Sequence, residues 1–417
     1  MSMKNIENKK AVFSWALYDW ANSAFATTVM AGFFPVFYKQ YWAGDIAATE
    51  STFQLGVSNA VASLAIVLLA PLIGAIADVG QFKKIFLVLF AALGICGTAL
   101  LYWVGQNDWA AAVMLFGAAT IGFMGANVFY DALILSVSTE TNRDLVSAMG
   151  YALGYLGGGL LFSVNVAMTL SPESFALQSA ADAVRISFLS VAVWWLLFSI
   201  PLLLFVHDHN SKAAVPFFKA VRQGIHQVVD TFRHIRALRP VLFFLIAYWL
   251  YIDGVDTVVR MAVDYGLSIG FEQQHLITAL LITQFIGFPA AIGFGYLGQR
   301  IGAKKGIYVG LAVYSLVTMW AYFMNVVWEF YALAAIIGLV QGGVQSLSRS
   351  LYADIIPPDK SAEFFGFYNM MGKSAALLGP LLVGVTVMLT QDHRLGMLSL
   401  LVFFVAGGIL LSKTPHD

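Results

Sequence analysis

Gly74-Ala-Ile-Ala-Asp78-Val-Gly80-Gln81-Phe-Lys83-Lys84 and, 221 residues further on, Gly295-Tyr-Leu-Gly298-Gln299-Arg300-Ile-Gly302-Ala-Lys304-Lys305 are two versions of one cassette. Each closes a long apolar run and opens another. A turn of small residues ending in two lysines suits a tight hairpin between membrane helices. Its recurrence half a chain later marks a duplicated bundle. Duplication of this kind points to alternating access rather than to catalysis.

The totals agree with a bilayer. Of 417 residues, 59% are hydrophobic and 11% charged, whereas soluble domains carry about 25% charged residues. The 33 Phe and 10 Trp suit membrane interfaces, and the 37 Gly suit close helix contacts. A formal net charge of +0 argues against a nucleic-acid partner. A single cysteine, Cys96, rules out an intrachain disulfide or a cysteine-based metal cluster. No cleavable signal is expected, because the first apolar run outlasts a signal h-region.

A span needs about 20 mostly apolar residues. That ruler predicts twelve spans, near 11–38, 53–77, 84–104, 109–136, 147–170, 184–206, 240–265, 274–297, 306–325, 328–350, 364–390 and 395–412. The expected architecture is an all-α membrane protein of two pseudo-symmetric six-helix bundles, residues 1–206 and 240–417, joined by a linker over 207–239. Within the linker, Phe217, Phe218, Val221, Ile225, Val228, Val229 and Phe232 recur at helical spacing. An amphipathic helix on the membrane surface is therefore predicted. Most of the 23 Lys and Arg fall in the N-terminus, both cassettes, the linker and the loops on the same side. The positive-inside rule puts that side, with both termini, in the cytoplasm of a cell inner (plasma) membrane.

Twelve spans with this cassette after the second and eighth look like the major facilitator superfamily, whose loop pattern reads roughly G-x-L-A-D-R-x-G-R-K. The first copy keeps Gly74, Asp78 and Lys83 but has Val79 for the arginine and Gly80 one place early. The second keeps Gly295, Arg300, Gly302 and Lys304 but has Gln299 in place of the aspartate. Three further strings narrow the likeness. They are Trp15-Ala-Leu-Tyr18-Asp19-Trp20-Ala-Asn22-Ser23, Val340-Gln341-Gly-Gly-Val-Gln345-Ser-Leu-Ser348-Arg349, and Glu363-Phe-Phe-Gly366 with Gly372-Lys373-Ser374. Together they resemble the fungal vacuolar amino-acid effluxers of the autophagy-related-22 type and their bacterial relatives. The resemblance implies secondary transport of a small solute, with amino-acid efflux favoured, and places spans 1, 4, 7 and 10 around a central cavity.

A charge within a hydrocarbon span costs at least about 2.5–3.5 kcal/mol and needs a partner or a function. Asp19, Asp131, Asp253, Asp256, Arg260 and Lys373 are such charges. Asp19 with Asn22 and Ser23 aligns with Asp253, Asp256 and Thr257, so each set shares one helix face. Two roles compete for these acids: a proton or cation site, or permanent pairs such as Asp256 with Arg260 or an aspartate with Lys373. Under the first role, Asp253→Asn is expected to abolish gradient-driven flux and spare exchange. Gln341 and Gln345, one turn apart, are candidates to hydrogen-bond a solute; Asn127, Tyr130 and Asp131 match them on the fourth span, and Gln284 on the eighth. Arg349 suits a gate, a lipid-facing anchor or a substrate contact. Gly154, Gly157, Gly158 and Gly159 of span 5 and Gly287, Gly293 and Gly295 of span 8 are expected to serve close helix packing; the resemblance implies that these two spans meet between the halves, where smooth surfaces would also help rocking.

Other chemistries find no support. There is no Gly-x-x-x-x-Gly-Lys-Ser/Thr string for ATP and no His-x-x-x-His within a span. No catalytic residue, cofactor or metal is expected. The expected partners are a small-molecule solute, protons and the lipid bilayer, with the chain working as a monomer. Import of another small metabolite is the alternative direction, and a membrane sensor that keeps the fold without turnover is the rival from another class.

Overall fold

In the computed structural model the described residues are 8–208, 215–233, 238–268, 272–374 and 378–414. The first helix, α1 (Lys9–Ala24), starts at Asn8, whose side chain accepts from the Ala11 amide. It runs on through π-helical turns at Phe25–Phe33, the short α2 (Phe34–Phe37) and a second π-helical piece, Tyr38–Trp42. Pro35 cannot donate to the helical ladder, and wider turns flank it on both sides.

The helices that follow are α3 (Ala48–Gly80), α4 (Lys83–Leu100), α5 (Trp109–Ala132), α6 (Ile134–Val137), α7 (Arg143–Leu170) and α8 (Ala180–Phe205). After α9 (Phe217–Arg233) come α10 (Arg239–Ser268), α11 (Gln273–Ile301), α12 (Ala303–Phe323) and α13 (Val327–Ile355). The chain ends in α14 (Ser361–Ser374), α15 (Leu378–Thr390), α16 (His393–Leu398) and α17 (Leu401–Leu411). Eleven helices among the described residues are long and apolar enough to cross a membrane. The first helix, broken by its π-helical turns, stands outside that eleven. Large apolar side chains such as Leu68, Leu89, Met114, Leu196, Leu316 and Val402 are exposed on the outer faces, as a lipid environment requires.

Small residues set the closest approaches. A Cβ on Gly122 of α5 would sit 2.6 Å from Gly94 Cα of α4, and one on Gly366 of α14 2.6 Å from the Ala70 carbonyl of α3. Two seams join helices before α9 to helices after it: α7 against α11, and α3 against α14. The glycines of the fifth span divide between tasks. Gly154, Gly157 and Gly158 pack on the first helix, where their missing side chains leave room for Ser23, Trp20 and Thr27. Gly159 alone of that run faces α11, at Gln284. On α11, Gly287 meets Tyr155, Gly295 meets Ala148, and Gly293 faces open space.

The two cassettes match with a slip of one residue. In the first, Gln81 (φ 59°) and Phe82 join α3 to α4; in the second, Gly302 (φ 91°) alone joins α11 to α12. The aligned lysines, Lys83 and Lys304, therefore do different things. Lys84 Nζ donates to the Leu203 and Val206 carbonyls at the end of α8, at 2.7 and 2.8 Å. Lys304 Nζ donates to the Ser412 and Thr414 carbonyls beyond α17, at 3.2 and 2.8 Å. Each lysine neutralises the carbonyl end of a helix. Lys83 instead lies 3.4 Å from both Asp78 and Asp208.

The linker helix α9 lies on α3 through its small residues. Ala220 and Thr231 are buried, and a Cβ on Gly224 would come within 2.9 Å of the Ile76 nitrogen. Phe217, Phe218, Ile225 and Val229 face outward. Gln227 reaches from α9 to Glu363 of α14, donating at 2.6 Å.

Candidate functional site: a charged cavity between the helix sets

A cavity of about 660 Å³ lies among α1, α3, α5, α7, α10, α11, α12, α13, α14 and α16. Its lining runs from mid-helix to the ends of the helices opposite the cassettes, reaching Pro35, Leu55, Leu276 and Met324. No lining residue comes from either cassette loop. Asp19, Asn22, Asn127, Tyr130, Asp131, Asp256, Gln284, Gln341, Gln345, Arg349 and Lys373 all line it. Asn22 donates to Asn127 Oδ1 at 2.6 Å, and Gln284 to Thr27 Oγ1 at 3.2 Å, so carboxamides already tie neighbouring helices across the wall.

At the cassette-side end of the cavity sits Arg349, 1% exposed. Its Nη1 donates to Asp131 Oδ1 at 3.0 Å and lies 3.7 Å from Asp19 Oδ2. Nη2 and Nε donate to the carbonyl and Oγ of Ser147 at 2.8 and 3.0 Å. The guanidinium carbon lies 4.8 Å from the Trp15 ring centre, 4.4 Å from Tyr151 and 5.4 Å from Tyr130. A planar, always charged fork is the side chain able to meet acids, a carbonyl and aromatic faces together. Asn369 of α14 donates to the second Asp131 oxygen at 3.0 Å. Trp15 donates to the Tyr130 carbonyl at 2.9 Å and stacks on its ring, which holds the aromatic cage in place.

Two expectations change here. Arg349 is no lipid-facing anchor, since it is enclosed between α1, α5 and α7. Asp253 is 0% exposed and is not part of the cavity lining. Its Oδ1 accepts from the Gly379 amide of α15 at 2.8 Å and from Thr257 at 3.2 Å. Asp256, one turn on, takes the place on the cavity wall. The side chain of Arg260 lies outside the described residues, and with it the Asp256–Arg260 pair. Lys373 Nζ lies 5.9 Å from the Phe123 ring centre. Tyr151, Tyr155, Tyr248, Tyr368 and Asn369 also line the cavity and escaped the sequence reading. Ser147, Tyr151 and Tyr155 recur every four residues, which was the available signal.

Below the cavity the cassette end is shut. Asp78 accepts from the Ala362 and Glu363 amides at 3.1 and 2.8 Å, capping α14 from the far side of the seam. A Cβ on Gly74 would run into the Ala362 backbone. In the second cassette Gln299 donates to the Thr141 carbonyl at 3.2 Å, while Asp144 of α7 accepts from Ser350 and Arg143 pairs with Asp354. Gly298 lets Asp144 approach: a Cβ there would lie 2.9 Å from its Oδ2. Arg300 is exposed. One seam is thus closed by a helix cap, the other by side-chain pairs.

This fold and cavity define a membrane protein of the major facilitator type. A family model described as "Vacuole effluxer Atg22 like" matches residues 41–416, and the chain belongs to that family. It is 38% identical over 406 residues to the MFS-type transporter YxiO of Bacillus subtilis, covering 97% of this chain and 94% of that one. It is 27% identical over 325 residues to autophagy-related protein 22 of Yarrowia lipolytica, covering 70% of this chain and 54% of that protein. Among solved structures, the human organic anion transporter MFSD10 (TETRAN) superposes with a TM-score of 0.73 at 14% identity, covering 97% of this chain and 99% of that one. The proton:xylose symporter XylE gives 0.69 at 12% identity, covering 98% and 95%.

Proposed function

We propose that the chain is a secondary active transporter of a small polar solute, working by alternating access between two six-helix halves, residues 1–206 and 240–417. On this reading the π-broken first helix is the twelfth span, and both termini face the cytoplasm of the plasma membrane. The observation that carries the proposal is a largely apolar cavity that holds acids, bases and carboxamides, walled by both halves and sealed at the cassette end by bonds that cross between them. Such a site exchanges sides when the halves rock, with no covalent step. Acids and bases contributed by both halves, beside carboxamides and tyrosines, suit a zwitterion. Family membership adds weight to amino-acid efflux, and the buried acids to proton coupling.

A thermal-shift screen of the purified protein against amino acids, sugars, nucleosides and carboxylates identifies the solute. Proteoliposomes loaded with the best hit then test turnover. We expect exchange without a gradient and accumulation when a pH gradient is imposed. Binding without either flux would make the protein a sensor and end the transport reading.

A further inference from the structure

We propose that Asp19 is the proton-carrying group of this transporter, and that Arg349 is the counter-ion through which its charge holds or releases the cassette-end seam. The assignment rests on the transport reading above and names the residues that would couple it.

Three ionisable groups meet at the foot of the cavity: Asp19 from α1, Asp131 from α5 and Arg349 from α13, with side chains 15%, 11% and 2% exposed. Two carboxylates share one guanidinium, so the fully ionised cluster has one negative charge in surplus. The hydrogen bonds say which. Asp131 takes the closer bond from Arg349, and Asn369 satisfies its other oxygen. Asp19 stands farther from the guanidinium, with Tyr130 (3.2 Å) and Ser23 (3.4 Å) as its only hydrogen-bond donors among the described residues. From α7, Tyr151, Ser147 and the bare backbone of Gly150 face the same group. Asp256 and Lys373 line the same cavity. A surplus charge in a water-poor span is relieved by a proton, and Asp19 also lines the cavity through which water brings it.

Arg349 belongs to the second half, but among the described residues the partners of its guanidinium, Asp19, Asp131 and Ser147, belong to the first. Opening the cassette end must draw it away from Asp131 and Ser147. With Asp19 ionised, two carboxylates resist that separation; with Asp19 protonated, one does. Uptake of a proton from the open cavity therefore loosens the seam, and its release on the other side restores the hold.

The test needs no substrate. Spin labels at Glu140→Cys and Lys305→Cys, in a Cys96→Ser background, report the width of the cassette end by pulsed electron resonance between pH 5 and 8. The wild-type residues at the site should give a narrow distance at pH 8 and a growing wide population as pH falls. Asp19→Asn should be shifted toward the wide population and lose the pH response. Tyr130→Phe keeps the ring packing but removes a donor to the carboxylate, and should move the midpoint upward by about one pH unit. A wild-type pH response retained in Asp19→Asn, or an unmoved midpoint in folded Tyr130→Phe, overturns the assignment. So does a flat response in the unsubstituted site, even where solute exchange is intact. Loss of solute exchange alone would count against the transport reading and leaves this measurement readable.

Discussion

Gly150 shows how tightly the charge cluster is drawn. A Cβ there would lie 2.8 Å from the Tyr130 hydroxyl, 2.9 Å from Arg349 Nη2 and 3.1 Å from Asp19 Oδ2. Alanine favours a helix by about 1 kcal/mol over glycine, so Gly150→Ala should leave α7 intact while displacing the cluster. We expect solute exchange to fall about tenfold on the scale of a 1.4 kcal/mol loss, with Gly293→Ala, whose Cβ meets nothing within 4 Å, serving as the control at near wild-type flux. Asp253 requires the opposite expectation from the one its sequence suggests. Because it holds the Gly379 amide and Thr257, Asp253→Ala leaves a buried donor unmet at a cost of about 1–3 kcal/mol. The melting temperature should drop while the ratio of driven to exchange flux stays unchanged; a lost ratio in folded protein would return Asp253 to the coupling site.

At the scale of elements, the seam between α3 and α14 is a helix cap made in trans. The Asp78 carboxylate faces the first amides of α14, where a negative charge is favoured by the helix dipole. Asp78→Asn keeps the shape and removes the charge, which should weaken the cap by about 0.5–1 kcal/mol. The wide cassette-end population should rise about two- to fivefold, read with the same pair of spin labels. The linker helix adds a second tie, since α9 touches α3 at Ile76 and α14 at Glu363. Gly224→Leu has no room against Ile76. It should detach α9 and speed proteolysis within the linker, measured by time-resolved cleavage in detergent.

For the whole molecule, transport by rocking requires contacts at the cassette end to break once per cycle. Gln299 and Thr141 lie on opposite sides of the α7–α11 seam, with Thr141 exposed and Gln299 half-buried. Thr141→Cys with Gln299→Cys, in a Cys96→Ser background, should form an oxidative cross-link that stops exchange, and reduction should restore it. Exchange that survives complete cross-linking would sink the rocking mechanism. The asymmetry between the seams has a consequence at this scale. One is closed by backbone amides and a buried carboxylate, the other by Arg143 with Asp354, whose side chain is 35% exposed. Salt screens exposed pairs more than buried ones, so raised ionic strength should loosen the second seam first.

Much of the architecture was written in local sequence. Each apolar run of about 20 residues becomes a helix because the bilayer offers no other partner for backbone groups, and both cassettes fall between consecutive helices, α3 and α4, and α11 and α12. Eleven of the expected spans overlap helices long and apolar enough to cross, with ends that differ by up to six residues, the eleventh span covered by α14 and α15 on either side of residues 375–377. The charge pairing was not written there. Arg349 meets Asp131 across 218 residues, and only the docking of α13 against α5 and α7 brings them together. Asp253 and Asp256 share a helix face broadly enough that sequence could not say which one reaches the cavity. The rotation of α10 about its axis made that choice, and that rotation is set by the neighbours against which its side chains pack.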